Sequence, residues 1–278
     1  MLLLPLAALW LLGDRLSAPA QHEVGVPPAA LKAEALRIPS AAGQIGAWFA
    51  PGRPGSGAVL LLHGVRGDRR AMLGRARFLH EQGFAVLLID LPAHGESRGE
   101  RISFGQREGL GVRAALDWLG RCLPGEKIAV IGVSLGAASY VLLEPRPEPA
   151  PAAVVLESMY PTIDEAVADR LALHLGEPAR ALAPLLLLQL PWRLDMSAGR
   201  LRPIDRIARL GSPLLLVAGD RDRHTLLAET RALYAAAAEP KSLWIVEGAA
   251  HIDLHAFDAA AYEARVGAFL RERLRPPG

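Results

Sequence analysis

The chain of 278 residues is 51% hydrophobic and 22% charged; this excludes a disordered or collagen-like protein and leaves one large domain or two small ones at roughly 150 residues per domain. Its 31 basic and 29 acidic residues sum to +2, so it has no cationic surplus to release counterions from a nucleic-acid backbone, and nucleic acid is not an expected partner. The single cysteine, Cys122, removes an intrachain disulfide and a cysteine-based zinc site, and at the end of a helical pattern it reads as a structural thiol.

Met1 to Leu12 is an apolar run of signal-peptide length, short of the ~18 residues of a spanning helix. After Asp14 and Arg15 comes Ser17-Ala18-Pro19-Ala20, where Ala18-x-Ala20 fits a small-residue cleavage pattern. Residues 1–30 are therefore expected to be a signal peptide or membrane anchor plus linker, with membrane association through the N-terminus and an exported or anchored location. No Lys or Arg precedes the run and Pro19 interrupts the cleavage pattern, so a packed N-terminal helix of a cytoplasmic protein is the alternative. Gln21 to Pro28 is polar and proline-containing and reads as the linker.

The globular part, residues 31–278, begins with two short strands, Ala33 to Ile38 and Gln44 to Phe49, around a turn at Ser40 to Gly43. Strand-length apolar runs then alternate with helical patterns: Ala58 to Leu62, Asp68 to Glu81; Phe84 to Asp90, Gln106 to Leu119; Ile128 to Val133, Leu135 to Leu143. Such alternation means βαβ units and a parallel sheet, and runs apolar at every position are strands covered on both faces. Ala153 to Leu156, Leu214 to Val217 and Ser242 to Val246 extend the sheet, with helices at Leu226 to Ala236 and Ala259 to Leu274. Between about 157 and 207 the alternation breaks. Ile163 to Leu175 has helical spacing, and Ala181 to Leu190 is almost wholly apolar, with Leu182, Leu185, Leu186, Leu187, Leu188 and Leu190 more than one packing face needs. A helical insertion there sits beside the strand ends where open α/β sheets bind ligands, and some of these leucines are expected to line an acyl pocket.

Gly132-Val-Ser134-Leu-Gly136 joins a buried strand to a helix. A sharp strand-to-helix turn brings backbone close on both sides of the serine, where a Cβ would clash, and pushes the hydroxyl outward as a nucleophile. The N–H of Leu135 then lies at a helix start, able to hold an oxyanion. His63-Gly64-Val65-Arg66-Gly67 also ends a strand; the N–H of Val65, or of Arg66, is the second oxyanion donor, and the His63 ring braces the loop. The base is sought on a late loop: His251, after the strand Ser242 to Val246, is preferred to His255. Although His251, Asp253 and His255 alternate, they lack a further ligand source, and no metal is expected. Asp220 and Asp222, just past the strand Leu214 to Val217, are the acids that could orient the histidine.

In that order and context, His63-Gly64, Gly132-Val-Ser134-Leu-Gly136, Gly219-Asp-Arg-Asp222 and Gly248-Ala-Ala-His251 resemble the α/β-hydrolase fold, specifically bacterial serine hydrolases with an HG-x-x-G loop. Asp90-Leu-Pro-Ala-His94-Gly95-Glu-Ser97 resembles that family's loop after the fourth strand. The resemblance spans residues 34 to 274 and implies an eight-stranded, mostly parallel sheet with flanking helices and a small helical cap at about 157–207. It also implies no cofactor, and puts the acid at the last position of G-x-x-D, Asp222. A serine at 134 separates the chain from dehalogenases and epoxide hydrolases, which carry aspartate there. The expectation is hydrolysis of a carboxylic ester or related acyl bond of a small lipophilic molecule, with Ser134, His251 and Asp222 as the triad and Val65 and Leu135 as oxyanion donors. A peptidase, amidase or thioesterase, or a non-catalytic binding protein of the same fold, is the alternative.

Overall fold

Runs that are apolar at every position make the centre of the sheet, because both of their faces are covered. The computed structural model describes the backbone of residues 3–275 and the side chains of residues 9–275. Eight strands form one sheet: β1 (Glu34–Ser40), β2 (Gly43–Ala50), β3 (Ala58–Leu62), β4 (Ala85–Ile89), β5 (Ile128–Val133), β6 (Ala153–Glu157), β7 (Leu214–Gly219) and β8 (Lys241–Val246). Their spatial order is β8-β7-β6-β5-β3-β4-β2-β1. β2 runs antiparallel to both neighbours and every other pair is parallel, so the sheet is the eight-stranded, mostly parallel one that was expected. Along β3, Ala58, Leu60 and Leu62 enter the core on one face, while Val59 and Leu61 enter the core on the other, as a side-chain period of two requires.

The helices are α1 (Leu3–Ser17), α2 (Leu73–Glu81), α3 (Glu108–Cys122), α4 (Leu135–Val141), α5 (Ile163–Leu175), α6 (Ala183–Leu187), α7 (Leu190–Leu194), α8 (Leu227–Ala236), α9 (Leu254–Phe257) and α10 (Ala259–Leu274). Residues of α3, α4 and α8 cover the first face and residues of α2 and α10 the second. From β3 the chain crosses to β4 on one side and later to β5 on the other. The reversal opens a crevice at the C-terminal ends of β3 and β5, where sheets of this kind bind ligands.

Three elements differ from their sequence reading. The helix expected at 68–81 begins with a 3₁₀ turn, Arg69–Met72, because the Asp68 carboxylate caps the Arg70 N–H. The apolar stretch 181–190 is no single helix: Pro184 and Pro191 each start a new short one, α6 and α7. Residues 20–25, at the start of the expected linker, are tied to the body of the fold, whereas Val26 is exposed. Ala20–Gln21 pairs in parallel with His94–Gly95, Val24 is buried, and the N–H groups of Val24 and Gly25 donate to Glu96.

A buried ion pair joins the layers. Arg75, on α2, donates from Nε and Nη2 to the two carboxylate oxygens of Glu157 at the end of β6, at 3.0 and 2.6 Å, and from Nη1 to Asp253 at 2.7 Å. Both Arg75 and Glu157 are about 1% exposed. Removing one partner of such a pair strands a charge without water, which costs about 3–5 kcal/mol. Arg75→Ala should therefore lower stability by that amount, read as a shift in the urea midpoint at unchanged slope.

Candidate active site

Four loops leave the C-terminal ends of strands around the β3/β5 crevice. At the end of β5 the chain turns through Ser134 with φ 49° and ψ −108°, directly into α4. The left-handed value is strain that the surroundings enforce. A Cβ on Gly132 would lie 2.7 Å from the Cα of Ala137, and one on Gly136 would lie 2.5 Å from the Leu62 carbonyl oxygen. Both glycines are thus required by close approach, and the turn presents Ser134 to a cavity.

The loops after β7 and β8 are laced together. Arg221 N–H donates to the Ala249 carbonyl, and Gly248 N–H donates to Asp220 at 2.7 Å, so Asp220 holds the His251 loop by its backbone. Asp222 is buried and its carboxylate accepts four hydrogen bonds: from the N–H groups of His224 and Thr225, from the Thr225 hydroxyl, and from His251 Nδ1 at 2.7 Å. Burial pushes the Asp222 pKa up, but the His251 contact and the backbone donors outweigh it and hold the group below the ordinary carboxylate value. With Nδ1 engaged, His251 has no partner on Nε2 among the described residues, and both His251 and Ser134 face one cavity. No hydrogen bond joins them among the described residues; sites without substrate are often looser here than the loaded complex.

His63 is fully buried between two backbone partners. Nδ1 donates to the Gly64 carbonyl at 2.7 Å and Nε2 accepts from Leu91 N–H at 3.0 Å. Burial, aided by the neighbouring His94, depresses its pKa to about 3, so the ring is neutral and has no nitrogen left for proton transfer. His255 lies away from the crevice, bonded to Glu263 and stacked on Phe78. Asp253 pairs with Arg75, so the alternating trio after β8 turns to three different partners. Val65 and Leu135 both line the crevice, and neither backbone N–H has a protein acceptor among the described residues.

Two cavities meet at Ser134. One, about 430 Å³, holds His251, His224 and Arg75. The other, about 450 Å³, is mostly apolar, walled by Phe104, Tyr160, Ile163, Val167, Leu171, Leu186 and, from α1, Leu12 and Leu16. Of the six cap leucines noted in the sequence, only Leu186 reaches it; Leu182, Leu185 and Leu188 are exposed, because the proline breaks turn successive short helices to different faces. Arg170 borders both chambers and donates to the Ala166 carbonyl. The sequence reading missed Arg170, His224 and the α1 leucines. His224, two residues past Asp222, has its ring centre 5.0 Å from that of His251, and burial, followed by the proximity of the His251 ring, lowers its pKa. The sequence held one signal for the α1 residues, the helical spacing of Leu9, Leu12 and Leu16.

Residues 59–265 match the model of the Alpha/beta hydrolase family. The uncharacterized protein Rv2307c of Mycobacterium tuberculosis is 34% identical over 236 residues, covering 82% of this chain and 75% of its own. Among solved structures, the Pyrococcus furiosus esterase Pf2001 superposes with a TM-score of 0.76 at 24% identity, over 93% of this chain and 98% of its own. A thermophilic esterase from Thermogutta terrifontis does so with a TM-score of 0.64 at 18% identity, over 87% and 99%.

Proposed function

This chain belongs to the alpha/beta hydrolase family, and from that premise we propose that it is a serine hydrolase cleaving a carboxylic ester, or a related acyl bond, of a small lipophilic molecule. The observation that carries this reading is the Asp222–His251 hydrogen bond of 2.7 Å beside an outward-turned Ser134 on the same cavity. His251 takes the proton of the Ser134 hydroxyl on Nε2 as Oγ attacks the acyl carbon. Asp222 accepts from Nδ1–H, which keeps the ring in the tautomer able to receive that proton and stabilises the imidazolium that results. The oxygen that gains charge is met by the N–H groups of Leu135 and Val65, donors that are already oriented and need no reorganisation. The imidazolium then returns its proton to the departing alkoxide, leaving an acyl-serine. Water, deprotonated by His251, releases the acid and restores the hydroxyl.

The apolar chamber suits the acyl group and the chamber holding His251 the leaving group, since the base must also protonate what departs. Two structural neighbours, the Pyrococcus furiosus and Thermogutta terrifontis proteins, are esterases, which accords with this chemistry. An alkyl fluorophosphonate, which reacts with an activated serine whatever its natural substrate, should label the protein once, and peptide mapping should find the adduct on Ser134. An unlabelled protein, or an adduct on another serine, would remove the basis for the assignment.

A further inference from the structure

We propose that the N-terminal helix α1 is a fixed wall of the acyl chamber, and that Leu12 and Leu16 set the length of acyl chain it accepts. The proposal rests on the serine-hydrolase reading above. Leu9, Leu12 and Leu16 recur at helical spacing along one face of α1. Leu9 and Leu12 pack on the cap with Leu171, Ala183 and Leu186, and Leu12 and Leu16 line the chamber that opens at Ser134. The opposite face is wet: Leu11 is 67% exposed.

Polar contacts fix this placement from three directions. On the cap side, Gln189 Nε2 donates to the Leu9 carbonyl at 2.9 Å, and Arg193 pairs with Asp14 while its guanidinium lies 3.9 Å from the Trp10 ring centre. On the body side, Arg101 also pairs with Asp14, and Ile102 N–H donates to the carbonyl of the buried Ser17. From the HG-x-x-G loop, Arg66 donates to the Arg15 carbonyl. The chain beyond the helix is held as well, by the ladder from Ala20–Gln21 to His94–Gly95. Buried apolar surface, two cationic partners for one carboxylate and a backbone ladder are together more than a passing contact requires. Cleavage after Ala20 would remove the wall and open the chamber to water, so the geometry assigns α1 to the working enzyme.

The test uses the full-length protein and the ratio of kcat/KM for p-nitrophenyl octanoate to that for the acetate. A bulkier side chain at either position fills the chamber, so Leu12→Trp and Leu16→Trp should each lower the ratio by at least about tenfold, the scale of a few methylenes denied burial. Leu11→Trp, on the wet face, should leave it unchanged. Leu16→Phe adds less volume and carries the same direction if the larger variants do not fold. Calorimetric binding of octanoate itself, which needs no turnover, should weaken in parallel. Wild-type hydrolysis with ratios and octanoate binding unchanged in folded Leu12 and Leu16 variants overturns the pocket-wall proposal while sparing the hydrolase reading. Octanoate binding that is lost in the variants of a protein without esterase activity overturns the hydrolase reading and upholds the wall. A wild type that neither binds octanoate nor hydrolyses either ester overturns both readings.

Discussion

Ser134→Ala and His251→Ala should each abolish ester hydrolysis almost completely, with kcat falling by on the order of 10⁶ as in serine hydrolases whose triad members have been removed singly. The two residues act at one step: the hydroxyl is a weak nucleophile until a base takes its proton, and the base has no task without the hydroxyl. The double variant should consequently be scarcely slower than either single one. Fold is not expected to suffer, since Ala at 134 keeps the turn between Gly132 and Gly136 and His251 is partly exposed. Steady-state rates on a p-nitrophenyl ester, with the urea midpoint of each variant as control, decide the matter. Additive losses in the double variant, or substantial hydrolysis by Ser134→Ala, would show that the reacting groups lie elsewhere.

The second large effect is expected at Asp222. The Asp222 carboxylate only accepts, and it accepts from four donors at once. An asparagine amide can present its oxygen to the backbone N–H groups, but its NH₂ then faces His251 Nδ1. That nitrogen must become an acceptor, the ring proton moves to Nε2, and the nitrogen directed at the cavity can no longer take a proton. In the serine-protease precedent this exchange costs ~10⁴ in kcat, and Asp222→Asn should behave alike. Asp220→Asn gives the opposite pattern. Asp220 is exposed and bonds the Gly248 N–H, so an asparagine oxygen can substitute for most of its role; the rate should stay near wild type with a modest loss of stability. A rapid Asp222→Asn enzyme beside a folded but inert Asp220→Asn enzyme would exchange the two assignments.

Much of the candidate site was legible because its signals are local. Gly132-x-Ser134-x-Gly136 is a five-residue steric demand, and the structure shows each glycine against backbone atoms that a Cβ would strike. His251 and the two aspartates could be placed at the same end of the sheet because each follows an apolar run, and parallel strands bring their C-terminal ends to one edge. His255 could be separated from His251 only weakly from four residues of spacing; its bond to Glu263 and its stacking on Phe78 are tertiary facts.

The residues by themselves determined the sheet, its all-apolar central strands and the loops on which the candidate triad sits, since hydrophobic period and turn chemistry act over a few residues. Which apolar faces meet was decided only in three dimensions. Arg75, Glu157 and Asp253 carry no common motif, and they join because α2, β6 and the loop after β8 converge. The leucine-rich stretch 181–190 looked like the acyl site, but the backbone breaks at Pro184 and Pro191 leave only Leu186 in the chamber, and α1 supplies the missing wall from more than 100 residues away. An apolar run records that a segment must be covered; the cover for α1 was set by the shape of the cap and the charges around Asp14, which no local pattern encodes.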